Sequence, residues 1–221
     1  MAERRKAILQ IDRSISEETK RPRGRPREFD RDQALARAMH VFWRLGYEAT
    51  SMADLRERLG LTQASLYAAF GSKEQLFREA VDLYRRTAGT TTLRALQEQP
   101  TARESMRAML EDAARSFTKA GVPAGCLVVL GTMNCTAESK PVQDHLHALR
   151  LQTPKAIRDR LRRGQTEGDV PRGAPIEAMA HYYTTVLHGL SIQARDGASR
   201  KALMAVVDCA MAAWEGLVEK S

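Results

Sequence analysis

The chain has 221 residues, 43% of them hydrophobic, and a formal net charge of +8 at pH 7. This length allows one large domain, or a small domain and a larger one, and no apolar run is long enough to span a membrane. The basic N-terminus lacks the apolar stretch of a signal peptide, and the three cysteines form no CxxC pair. These features exclude a membrane-spanning or disulfide-rich protein and predict a cytoplasmic chain with free thiols.

The positive charge is concentrated at the start of the chain. Residues 1–73 carry 15 Lys and Arg against 10 Asp and Glu, whereas residues 74–221 carry 20 against 17. Five of the basic residues lie in KRPRGRPR at 20–27, where two prolines and a glycine disfavour a helix. We therefore expect residues 1–28 to form a flexible basic arm. This excess of positive charge at the start of the chain favours a partner with phosphates, although a solvated charged surface would have the same composition.

Short amphipathic helices follow the arm. FDRDQALARAMHVFWRLG has apolar residues at helical spacing and ends at Gly46. TSMADLRERLG begins with Thr50 or Ser51 as a helix N-cap, and LTQASLYAAF is capped by Thr62. The last two helices, separated by GL, have the length and spacing of a helix-turn-helix, which predicts a DNA-binding domain over residues 29–73. A plain three-helix bundle is the alternative.

Helical periodicity continues through residues 74–221. AGCLVVLGTMN is short and apolar, which predicts a buried helix, and the long amphipathic helix after it should be kinked or interrupted at Pro154. Two final helices are separated by DGAS. No strand pair and no repeat follow the arm, so the predicted fold class is all-α.

A larger pattern spans the helix-turn-helix and the start of the next helix. It consists of Thr50, Gly60, Ser65, Leu66, Tyr67, Phe70, Lys73, Glu74 and Leu76. With these residues at fixed offsets, residues 29–81 strongly resemble the DNA-binding domain of the TetR family of bacterial repressors. The pair Ala68 and Ala69 departs from the family, which often has an aromatic residue or His there. The resemblance implies a dimeric regulator in which residues 74–221 bind a small-molecule effector and dimerise through the last two helices.

The second helix of the motif has the chemistry of a recognition helix, which presents small or polar side chains to base edges. Gln63 suits adenine, Ala64 suits a thymine methyl group, and the Tyr67 hydroxyl suits a phosphate unless this side chain only packs. Helix N-termini also bind phosphates, and Lys73 resembles the family's phosphate-binding lysine. The predicted DNA-binding residues are Arg23, Arg25, Thr50, Ser51, Thr62, Gln63, Ala64, Ser65, Tyr67 and Lys73.

The arm contains RGRP at residues 23–26, which is similar to the core of an AT-hook. An extended Arg-Gly-Arg-Pro fits the narrow minor groove of A·T-rich DNA, because glycine permits close approach and Arg23 and Arg25 meet an enhanced negative potential. The alternative is an arm that makes only nonspecific phosphate contacts.

The C-terminal part contains no catalytic constellation, so we expect neither an enzyme, a cofactor nor a metal site. His145 and His147, two residues apart on a helix, point in different directions. Apolar residues with a few polar groups are typical of an effector pocket. The candidates are Met109, Phe117, Leu127, Met133, Asn134, Cys135, His181, Tyr182 and Tyr183. Two alternatives remain open: a regulator that senses oxidation of a cysteine, and an architectural protein that binds A·T-rich DNA without an effector.

Overall fold

The computed structural model describes residues 30–89 and 91–219. In this part of the chain all regular elements are helical, which confirms the predicted all-α fold class. The predicted arm over residues 1–28, with Arg23 and Arg25, lies outside the described residues.

The N-terminal part folds into α1 (Arg31–Leu45), α2 (Met52–Leu59), α3 (Gln63–Phe70) and α4 (Lys73–Arg86). The side chains of Ser51, Thr62 and Ser72 cap α2, α3 and α4 by accepting a hydrogen bond from the third helical N–H. Aromatic rings join α1 to α4: Phe42 meets Phe77 edge-on with centroids 5.0 Å apart, and Trp43 meets Tyr84 at 4.8 Å. Because α4 leads directly from the helix-turn-helix into the C-terminal part, it links the two.

The C-terminal part contains α5 (Thr91–Glu98), α6 (Ala102–Phe117), α7 (Leu127–Leu130), α8 (Lys140–Glu167), α9 (Ile176–Arg195), α10 (Arg200–Ala212) and α11 (Trp214–Val218), with a 3₁₀ turn (Ala137–Ser139) before α8. The core of this part lies between α5, α6 and α8 to α11 and is apolar. The described residues from Arg31 onward belong to one compact unit.

Of the two outcomes predicted at Pro154, a kink or an interruption, the interruption is excluded because α8 runs through this residue. Proline removes one backbone donor and crowds the carbonyl four residues earlier, at a cost of about 3 kcal/mol. The packing of α8 against α9, α6 and α5 offsets this cost. The short α5 is not among the predicted helices. Its sequence is largely polar, and among its described side chains Ala95 and Leu96 are the buried ones.

Candidate DNA-binding surface and effector cavity

The turn between α2 and α3 has the geometry of a helix-turn-helix. Gly60 ends α2 in the left-handed region at φ 67°, where a side chain would be strained, and its N–H bonds back to the last turn of α2. Leu55, Leu59, Leu66 and Phe70 are buried. The apolar side of both helices is thus fixed in the core, and the opposite side of α3 faces outward.

The outward face of α3 is flat and uncharged. Gln63, Ala64, Tyr67 and Ala68 are exposed, and Tyr67 retains 44% of its accessible surface. Arginine is the commonest reader of guanine, and a carboxylate accepts from cytosine. Since α3 has neither, the groups it could offer to base edges are the Gln63 amide, the hydroxyl groups and the methyl groups of Ala64 and Ala68.

The residues predicted to bind phosphate differ in their availability. Ser51 is exposed and makes a reciprocal capping box with Asp54, while Thr62 accepts the backbone N–H of Ser65 at 3.1 Å. Thr50 is fully buried, and its hydroxyl donates to the Gly46 carbonyl at 2.7 Å. The side chain of Thr50 therefore has no free hydrogen for a phosphate.

Lys73 lies over an aromatic ring at the start of α4. Its ammonium nitrogen is 4.2 Å from the Tyr47 ring centroid. Burial lowers the pKa of Lys73, and the negative charges of Glu48 and Asp54 partly oppose this shift. A phosphate would therefore meet an ammonium group that is already held in place by the turn after α1.

The residues predicted to line an effector pocket do not form one group. Fully buried between helices are Met109, Leu127 and Tyr183, whereas exposed positions hold Met133, Asn134 and His181. Cys135 and Tyr182 are half-buried. Phe117 is the member of the set that lines the cavity described next. Helical spacing identifies inward-facing side chains, but it does not distinguish a cavity wall from packed core.

A cavity of about 100 Å³ lies between α4, α5, α6, α7, α8 and α9. Its apolar walls come from Leu93, Phe117, Val128, Val129, Leu149 and Leu187. Its polar lining includes Tyr84, Cys126, Arg150 and His188. Pockets for drug-sized ligands measure roughly 300–1,000 Å³, so this cavity in its present form accommodates only a small molecule.

Three titratable groups in the cavity are shifted by burial. The pKa of His188 is lowered by burial and by the nearby charge of Arg150, so the imidazole is neutral at pH 7. Burial also lowers the pKa of Arg150, which donates from Nη1 to the Val128 carbonyl at 3.1 Å. The pKa of the Cys126 thiol is raised by burial despite its hydrogen bond with the Tyr84 hydroxyl.

The cysteines of the described chain are free. Burial raises the pKa of Cys135 as well as that of Cys126, and Glu48 adds to the shift at Cys135. Because the thiolate is the reactive form, both groups are poorer nucleophiles than an ordinary thiol. The environments of Cys126 and Cys135 therefore do not favour oxidation of these two thiols as the sensing event.

Residues 124–131, here called the 124–131 segment, connect the cavity to the end of α1. The indole nitrogen of Trp43 donates to the Gly125 carbonyl at 2.9 Å in a buried hydrogen bond, and Tyr47 N–H donates to the Gly131 carbonyl at 2.8 Å. Gly125 adopts φ 77°, and a Cβ there would lie 2.6 Å from the Ser191 carbonyl. The segment is therefore closely packed on α9 as well as on α1.

Arg195 at the end of α9 reinforces this connection. Its guanidinium donates to the carbonyls of Ala124, Arg44 and Trp43 at 2.9, 2.8 and 2.6 Å. The last carbonyls of α1 are thus capped from α9. Sequence reasoning missed Arg195 and Arg150, because polar residues on long helices usually belong to a solvated face.

The outer faces of α9 and α10 carry small and apolar side chains. On α9 these are Tyr182, Val186, Gly189 and Ile192, and Ile192 retains 41% of its accessible surface. On α10 they are Ala202, Ala205, Val206, Cys209 and Ala212. The spacing of three or four residues places each set on one side of its helix.

Residues 30–89 and 91–219 include no group of three or more His, Cys, Asp or Glu residues arranged to hold a metal ion. In the same residues, none of the helices is both long and apolar enough to cross a membrane.

Comparison with known proteins identifies both parts of the chain. Residues 34–80 match the profile of bacterial regulatory proteins of the tetR family, and residues 102–208 match the tetracyclin repressor-like C-terminal domain. The HTH-type transcriptional repressor ComR of Escherichia coli K12 is 33% identical over 201 residues, which cover 90% of this chain and 96% of ComR. The repressor BdcR of the same strain is 31% identical, with 91% and 95% covered.

A solved structure gives a similar result. A cysteine-substituted variant of the TetR family regulator CifR, in complex with a 26-bp double-stranded operator, superposes with a TM-score of 0.82. It is 46% identical, and the match covers 86% of this chain and 100% of that one.

Proposed function

Because the chain belongs to the TetR family of bacterial transcriptional regulators, we propose that it is a homodimeric repressor that a small effector releases from its operator. The relatives are DNA-binding transcriptional regulators and not enzymes. One observation carries the proposal of ligand release. The 124–131 segment lines the cavity through Cys126, Val128 and Val129, and the same segment hydrogen bonds to the end of α1.

In this proposal α3 is the recognition helix. The Gln63 amide reads adenine, Ala64 and Ala68 contact thymine methyl groups, and the exposed Tyr67 hydroxyl binds a phosphate. The small alanines allow the helix to approach the groove floor closely. Ser51, Thr62 and their helix N-termini supply further phosphate contacts.

The arm extends this contact to the neighbouring minor groove. Arg23 and Arg25 in the RGRP sequence would enter a narrow groove beside the site read by α3 and add a preference for flanking A·T pairs. This proposal rests on the sequence alone, because the arm lies outside the described residues.

Dimerisation places two recognition helices at a fixed separation. The apolar outer faces of α9 and α10 would pack on their counterparts around a two-fold axis, as is typical of the family. Other apolar residues of α9, including Tyr183 and Leu187, are already buried within the protomer. The half-buried Tyr182 and Val186 and the exposed Ile192 would therefore supply the α9 side of the interface.

The effector would act by favouring a separation of the recognition helices that does not fit the operator. A ligand shifts such an equilibrium only by its difference in affinity for the two states, and a nearly complete shift requires about 5 kcal/mol. The cavity is joined to the DNA-binding part by the 124–131 segment and also by α4, because Tyr84 lines the cavity and packs on Trp43.

The test uses an operator selected in vitro from random duplexes and a fluorescence anisotropy assay. Small apolar compounds are screened for release of the labelled operator. Phe117→Trp enlarges a cavity wall and should abolish release while leaving operator affinity unchanged. The control is Met109→Leu, on the same helix but in packed core, which should respond to effector like the wild type. Loss of both effector response and DNA binding in Phe117→Trp would show that Phe117 is only structural.

A further inference from the structure

The guanidinium of Arg150 is largely unused by the protein. It lines the cavity and is half-buried. Of the five N–H groups that a guanidinium can donate, Nη1 donates one to the Val128 carbonyl at 3.1 Å. Within residues 30–89 and 91–219, the ion pairs of arginine side chains do not include Arg150, and no Asp or Glu is among the groups that shift its pKa.

Other arginines of α8 have acidic partners. Arg158 contacts Glu177 at 2.6 Å, and Arg162 contacts the same carboxylate at 3.1 Å. Arg85 of α4 also lines the cavity, but it is exposed to water and donates to the Gln152 side chain at 2.9 Å. Arg150 thus lines the cavity without a carboxylate partner and has N–H groups that an anion could bind.

His188 completes the polar lining on the side of α9. Burial and Arg150 keep its imidazole neutral, and a neutral imidazole has one N–H to donate. Within the described residues this side chain has no hydrogen-bond partner. The apolar walls formed by Leu93, Phe117 and Leu149 line the rest of the cavity.

We propose that the effector is a small carboxylate with an apolar body, and that Arg150 binds its carboxylate group with a further hydrogen bond from His188. This inference rests on the proposed function, because it assigns the chemistry of the same cavity. A bidentate pair between guanidinium and carboxylate is the strongest interaction this lining offers, and a volume of about 100 Å³ limits the body to a short chain or one ring.

The proposed pair between Arg150 and the carboxylate also explains how a bound effector would affect the DNA-binding part. A carboxylate that takes up Nη1 of Arg150 competes with the Val128 carbonyl, which lies in α7. Val128 belongs to the 124–131 segment, whose ends hydrogen bond to Trp43 and Tyr47. Arg150 is in this role a positioning residue that holds α7 in place until an anion binds.

The experiment compares carboxylates with neutral molecules of the same shape. Straight-chain carboxylates from acetate to octanoate, and benzoate, are titrated into the full-length protein by calorimetry, each beside the corresponding primary alcohol. We expect the best carboxylate to bind at least about tenfold more tightly than its alcohol, since hydrogen bonds to charged groups contribute more than neutral ones. Arg150→Gln should reduce that preference to less than about twofold, whereas the control Arg162→Gln, which removes an exposed charge of the same helix away from the cavity lining, should retain it.

A second measurement follows the hydrogen bond between the 124–131 segment and Trp43 of α1. The protein contains two tryptophans, so Trp214→Phe leaves Trp43 as the fluorescent reporter next to Gly125. The binding carboxylate should change Trp43 emission and release the operator, and Arg150→Lys, which keeps the charge but lacks the planar fork, should weaken both effects.

Two results would overturn the assignment: an alcohol that binds as tightly as its carboxylate, or an Arg150→Gln protein that keeps the preference. Absence of binding by every carboxylate would do the same. If neutral compounds then release the operator, the repressor proposal stands and only the ligand class is wrong. If operator affinity responds to no cavity ligand, ligand release itself fails.

Discussion

Replacing Arg195 tests the connection between α9 and the DNA-binding part. Arg195→Met keeps the aliphatic stem and removes three hydrogen bonds to backbone carbonyls. The carbonyls of Ala124 and Trp43 lie in part-buried bonds and lose their partner, whereas the bond to Arg44 is exposed and water can replace it. At about 1 kcal/mol for each part-buried bond, the free energy of unfolding should fall by about 2 kcal/mol.

The assay is urea denaturation followed by circular dichroism at one fixed protein concentration, because association contributes to apparent stability. The control is Arg200→Met, which removes one exposed hydrogen bond of 3.3 Å to Thr118. This control should change stability by less than about 0.5 kcal/mol. If Arg195→Met is no more destabilising than the control, the three carbonyls are hydrated without the guanidinium, and the proposed cap on α1 contributes nothing.

The remaining predictions concern DNA recognition and the core. Gln63→Ala should cost about 1–3 kcal/mol on the selected operator and relax its sequence preference, whereas Lys73→Gln should weaken all duplexes and lower the salt slope by about one unit, both measured by anisotropy. Replacing Arg23 and Arg25 by Lys should abolish a preference for A·T over G·C flanking pairs with little change in salt slope. If the flank preference is unchanged, the arm makes only nonspecific phosphate contacts. Arg160→Ala should destabilise by about 3–5 kcal/mol in urea, because it leaves the Ser105 hydroxyl and Pro100 carbonyl without this buried donor and removes the positive charge 3.7 Å from Asp169; a loss under about 1 kcal/mol would contradict that.

The helix-turn-helix could be read from the sequence because its determinants are local. N-caps at Ser51 and Thr62 and the left-handed Gly60 act within one or two turns of the chain. Position 50 shows the limit of this reasoning. Thr50 and Ser51 are equally good caps in the sequence, and only the fold decides that Thr50 is buried against Gly46 while Ser51 caps α2.

The cavity between α4 and α9 could not be predicted in the same way. Its walls come from α4 to α9, and its size depends on how these helices meet, which periodicity does not encode. Arg150 stands in a helix rich in charged residues, where the sequence favours a solvated side chain. Met109 and Tyr183 are apolar and inward-facing, as predicted, but they fill the core instead of lining the cavity.

Capping of α1 from distant residues has a consequence for engineering hybrid repressors. A graft that moves only residues 31–86 onto the C-terminal part of another family member would separate the Trp43 indole from the Gly125 carbonyl, and Tyr47 N–H from the Gly131 carbonyl. It would also remove the donors that Arg195 provides. A transplant that preserves operator binding should therefore include the 124–131 segment and Arg195, so the transferable DNA-binding unit of this regulator is discontinuous in sequence.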